Sequence, residues 1–247
     1  MRFGLLIPLA VVLIAAGSSL ERLQHQFRTS ETIAFHTTIE MTQGSNTNRQ
    51  DVVLRLTVKD VGSRVGFDAQ ETVNGATSKT QIDFDPASGI VRNRKGEDIA
   101  TFSPLLIAYT PTLWGELPAN LARGASWSTD SPAWIFGPAG RETVSLVSYD
   151  ASARGLSLKV AGSGTGPARP EIEMPDTLSV DTRSGAGANA HTRMVPRKTT
   201  WTETVEIADG LLSRARIEVS RDYLVPQTSM APEFHLTRHI VETITRM

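Results

Sequence analysis

The chain has 247 residues, 40% of them hydrophobic and 21% charged, which is enough for one large domain with its own apolar core. Its 25 basic and 26 acidic residues leave a net charge of −1, which argues against a general nucleic-acid binder, since such proteins need a basic face. There are no cysteines, so disulfide scaffolds, thiol catalysis, cysteine zinc sites and a lipid anchor on a cleavage-site cysteine are excluded.

Residues 1–18 have the form of a leader: Arg2 supplies a small positive start, residues 5–16 are apolar, and small residues surround Gly17 and Ser18. The apolar run is shorter than the roughly 20 residues a bilayer span needs, and Pro8 interrupts it. The expectation is a cleaved signal peptide and an exported product, periplasmic or secreted from a bacterium, with no stable membrane span. Residues 19–247 then form a single domain.

From residue 31 the chain alternates in the manner of half-buried strands. Residues 31–42 place Ile33, Phe35 and Ile39 on one side, and residues 51–61 do the same with Val52, Leu54, Leu56 and Val58. Residues 44–50 between them are polar and predict a loop. Asn74-Gly75 predicts a tight hairpin between residues 63–73 and 76–84, because both residues tolerate positive φ. Asp85–Gly89 (DPASG) predicts a second reversal and residues 95–97 a third, before a short strand at 98–102. Residues 103–115 open on Ser103-Pro104 and carry Leu105, Leu106, Tyr109 and Trp114, which predicts short helical turns covering the sheet.

Strands are expected again at 126–129, 141–149, 156–161 and 177–182, with residues 162–170 and 184–196 as loops. Two long strands, 198–207 and 211–223, flank a turn at Asp209-Gly210, and residues 235–245 close the chain. About eleven strands at hairpin spacing leave no room for crossover helices, so the sheet is expected to be antiparallel.

No stretch carries a catalytic signature. Residues 162–166 (GSGTG) lack the lysine of a phosphate loop and are followed by Pro167, so they predict a plain loop. His235 and His239 on one strand stand some 13 Å apart, too far to grip one metal. Asp83 and Asp85 lack calcium-loop spacing, and there is no G-x-S-x-G elbow. No catalytic residue, metal ligand or cofactor is expected.

What stands out is residues 110–134, with three of the four tryptophans. Phe102, Tyr109, Trp114, Trp127, Trp134 and Phe136 form either a plug for an open sheet or the lining of an apolar ligand site. Leu117, Pro118, Gly124 and Trp127, with the DPASG turn before them, resemble a step in exported proteins with a lipoprotein-carrier-like β half-barrel. That resemblance implies a convex sheet with short helical cover and an apolar concave face able to hold an acyl chain or hydrophobic peptide.

The sequence reading is therefore an all-β, antiparallel, strongly curved sheet or half-barrel, acting as an exported non-enzymatic binder of an apolar small molecule. Two alternatives accompany it. One is an envelope protein–protein module pairing through open edges of strands 198–207 and 235–245. The other is a hydrolase or metal enzyme using His191, His235 or His239.

Overall fold

The computed structural model describes residues 23–93, 95–96, 107–134, 137–166, 177–180, 190–226 and 232–247. The leader, the strand at 98–102, Phe102 and Phe136 lie outside the described residues. The chain is all-β, with thirteen strands and one four-residue helix among the described residues.

The strands are β1 (Thr32–Gln43), β2 (Asn46–Val61), β3 (Val65–Val73), β4 (Ala76–Phe84), β5 (Val91–Asn93), β6 (Ser126–Ser131), β7 (Gly140–Asp150), β8 (Gly155–Thr165), β9 (Thr177–Val180), β10 (Ala190–Arg193), β11 (Val195–Ala208), β12 (Leu211–Val225) and β13 (Phe234–Arg246). The helix α1 (Pro111–Trp114) precedes β6. Eleven strands form one antiparallel sheet in the order β5-β4-β3-β2-β1-β13-β12-β11-β8-β7-β6, and β9 and β10 pair separately. The sheet is not closed, because β5 and β6 are its two edges.

The hairpins follow from turn chemistry. Asn74 and Gly75 take φ of 48° and 88°, and Asp209 and Gly210 take 55° and 74°, the pattern of type I′ turns whose twist suits the flanking strands. In the DPASG turn the Asp85 carbonyl accepts the Gly89 amide at 2.8 Å, and the Asp85 side chain accepts the Ala87 amide at 2.9 Å.

Alternation then sorts one face into the core. Leu54, Leu56 and Val58 of β2, Phe67 and Ala69 of β3, Val144 and Leu146 of β7, Leu158 and Val160 of β8, and Ala215, Ile217 and Val219 of β12 are buried in one cluster. Burying each such side chain contributes about 1.5–3 kcal/mol, so the sheet's inner face dominates stability without a disulfide.

Three sequence expectations need correction. Residues 44–50 are not a loop: only Gly44-Ser45 turn, and β1 and β2 stay paired from Gln43↔Asn46 onward, with Thr42 and Thr47 hydroxyls 3.1 Å apart. Both faces there are open to solvent, so no apolar alternation marks them. Residues 184–196 contain β10 and the start of β11. The strands expected to offer open edges are interior: β11 lies between β8 and β12, and β13 between β12 and β1.

Two segments cross the end of the sheet where β12 begins and β4 ends. In residues 23–31, Leu23 is buried, Phe27 packs edge-on against Phe67 and Phe84, and His25 sits 2.8 Å from both the Asp209 carbonyl and Glu31 Oε1. In residues 107–115, the Ile107 carbonyl accepts the Leu212 amide at 2.8 Å, and Thr110 rests against Gly89.

Candidate functional site: aromatic pivot and buried carboxylates

The aromatic pivot is built on α1, a single turn with Pro111 at its start and Gly115 (φ 73°) at its end. So short a helix leaves its last carbonyls without intrahelical partners. Side chains take their place. Trp127 of β6 donates its indole N–H to the Trp114 carbonyl at 2.6 Å, and the Tyr109 hydroxyl donates to the Gly115 carbonyl. The Tyr109 and Trp114 rings lie 5.6 Å apart, both buried. Burial, with the Glu116 charge adding to it, pushes the Tyr109 phenol well above its usual range. A side chain at residue 115 would collide with Thr129, so glycine is required there on two counts.

Tyr109, Trp114 and Trp127 are therefore one cluster. Trp134 belongs to another: it forms a bridge with Gly137 and stands edge-on to Trp201, centroids 6.2 Å apart. Trp201, the tryptophan outside residues 110–134, was not among the residues singled out from the sequence.

Trp201 explains the first glycine of GSGTG, Gly162. That stretch is not a loop, because β8 continues through Thr165 and pairs Gly162 with Trp201 on one side and Glu142 on the other. The indole lies against β8 and β7, where a Cβ at Gly162 would come within 2.3 Å of its atoms and one at Gly140 within 2.7 Å. Glycine in a strand interior marks such close approach.

The indole N–H of Trp201 donates to Glu142 Oε1 at 2.7 Å. Glu142 is only 4% exposed, and its other oxygen is buried with no hydrogen-bond partner. Burial pushes its carboxyl above the usual range, outweighing the Trp201 hydrogen bond that pulls it down. Two residues after Trp201, Glu203 points to the same face. It retains some accessible surface as a residue, yet its carboxyl is enclosed by protein. Burial first, then the charges of Glu142 and Glu242, push Glu203 up to about 8 against a hydrogen bond from Trp114. Glu242 completes the group, since Ile217 of β12 pairs with Glu203 on one side and Glu242 on the other.

At neutral pH the Glu203 carboxyl is thus protonated, a neutral donor and acceptor set in an apolar face. Farther along the same face, Arg221 and Arg238 pair directly across β12 and β13, both buried, with guanidinium centres 5.2 and 5.1 Å from the Tyr223 ring. Strand parity carried this signal: Glu203 alternates with Trp201 and Val205, Glu142 with Val144, and Glu242 with Ile240 and Ile244. A charge at a core-parity position is the readable mark.

The four histidines whose side chains are described, His25, His36, His235 and His239, do not converge, and the His191 side chain lies outside the described residues. His235 and His239 are exposed on the outer face of β13, His36 lies 3.4 Å from Asp51, and His25 is held at residues 23–31. Among the described residues no group of histidine and carboxylate side chains is placed to hold a metal ion. Asp83 stands opposite Arg92 on β5, and Asp85 serves its turn. No protein-family model and no curated protein matches this sequence.

Proposed function

We propose that this protein is an exported, non-enzymatic binder of a lipid-like or otherwise apolar ligand, with the sheet bent into a half-barrel around the ligand and its short cover. The observation that carries the reading is the reach of residues 110–115. At one end Thr110 is so close to Gly89, beyond β4, that a Cβ there would lie 2.7 Å from the Thr110 hydroxyl. At the other, Gly115 meets Thr129 of β6 equally closely. β4 and β6 are nine strands apart in the ladder. Laid flat, that is about 43 Å. Residues 110–115 span at most about 18 Å even fully extended. The reach supports a sheet that bends its two edges toward each other, with α1 across the opening.

Such a trough is apolar over most of its length. Ile39 and Met41 of β1, partly buried against the core, extend it beyond the cover. The neutral Glu203, enclosed beside Trp114, adds no charge to surroundings that favour uncharged groups. Because Trp114 and Trp127 hold the cover, ligand entry disturbs both indoles. Titration of the mature protein with a fatty acid, a phospholipid and an apolar dye is expected to change tryptophan emission saturably. An emission spectrum unmoved by all three would remove the main support for the reading.

A further inference from the structure

We propose a second binding surface, on the outer face of β1–β5, for an acidic glycan strand. A groove of about 800 Å³ opens there, away from the buried face. It is lined by three cations, Arg55, Lys79 and Lys95, all exposed and without an ion pair among the described residues. Register places them deliberately: Arg55 of β2 pairs with Gln70 of β3, which pairs with Lys79 of β4. Two strand spacings set the cations about 10 Å apart across the sheet with an amide between them. Among the described residues the one carboxylate lining the groove, Asp68, is already held by Lys59 at 3.1 Å and by the Gln81 amide at 2.7 Å. The surface is therefore positive although the chain's net charge is −1.

The rest of the lining selects among polyanions. Gln70, Thr57 and Thr80 supply an amide and hydroxyls, matched to a ligand rich in hydroxyl groups. Among the described residues the lining has no aromatic ring on which a nucleic-acid base would stack, and no large apolar side chain to enter a lipid interface. A carboxylated sugar chain satisfies both the cations and the neutral donors and acceptors. This surface is independent of the apolar trough.

The test is binding of polygalacturonate, with neutral dextran and vesicles of anionic phospholipid alongside. The R55A/K79A/K95A variant is compared with R123A/R197A/K198A, which removes the same charge elsewhere on the surface. The expected result is salt-sensitive binding of polygalacturonate, none of dextran, and a loss of about tenfold or more in the groove variant only. Equal loss in both variants, no binding of polygalacturonate, or binding of the vesicles alone would overturn the proposal. All six positions are exposed, so an unchanged thermal transition verifies that folding is intact in both variants.

Discussion

Replacing Glu203 with glutamine isolates what the buried carboxyl costs the fold. In the unfolded chain a glutamate ionises near its model value of 4.5, whereas in the fold Glu203 ionises near 8. Below the lower value both states carry the proton and the residue is neutral to stability. As pH rises toward the upper value the unfolded state ionises and the folded state does not, so stability falls; above it the loss is complete. At pH 7 the interval above the unfolded value corresponds to about 3 kcal/mol. Glutamine preserves an oxygen to accept the Trp114 indole and has no charge to bury. E203Q is therefore expected to be more stable than the parent by about 3 kcal/mol at pH 7, equivalent to about 6–12 °C in Tm for a domain of this size. At pH 4 the two should agree within about 0.5 kcal/mol. Urea unfolding at pH 4, 7 and 9 measures both. A stability difference that is the same at pH 4 and pH 7, or an E203Q protein weaker at both, would refute the enclosure of this carboxyl.

Other substitutions follow the same geometry. Gly162→Ala forces a methyl into the Trp201 ring and is expected to cost about 1–3 kcal/mol in denaturant unfolding; a cost near zero would mean the indole does not lie over β8. Thr110 is fully buried and its hydroxyl has no partner among the described residues, so Thr110→Val is expected to be neutral or to gain about 1 kcal/mol, a loss contradicting the orphaned hydroxyl. Trp127→Phe retains the ring and deletes the donor to the Trp114 carbonyl, with an expected loss of about 1 kcal/mol by thermal unfolding; an unchanged Tm would detach this bond from the stability of the cover.

The parts of the fold legible in the sequence are those written locally. Asn74-Gly75, DPASG and Asp209-Gly210 mark turns because only certain residues accept their φ, and alternation in β1, β2, β7 and β12 gave the buried face directly. Where both faces of a strand are wet, as at Asn46–Gln50, alternation vanishes and the strand looks like a loop. GSGTG misled for a different reason: its first glycine, Gly162, answers to Trp201 on a neighbouring strand, a partner set by register rather than by sequence distance. The carboxylate group was hidden in the same way, since Glu142, Glu203 and Glu242 lie on three strands that the sheet order brings together. Of the six aromatics expected to act together, Tyr109, Trp114 and Trp127 do meet, because α1 and β6 are neighbours in both sequence and space. Trp134 instead meets Trp201, which is 67 residues later in the chain.

The most direct test of the proposed function is native mass spectrometry of the protein purified from the cells that produce it. The apolar-trough reading predicts a bound mass on the order of a few hundred daltons, the size of a lipid-like ligand, that stays with the protein in aqueous buffer and is released into organic solvent. A clean apo mass that persists after incubation with an envelope lipid extract would contradict it.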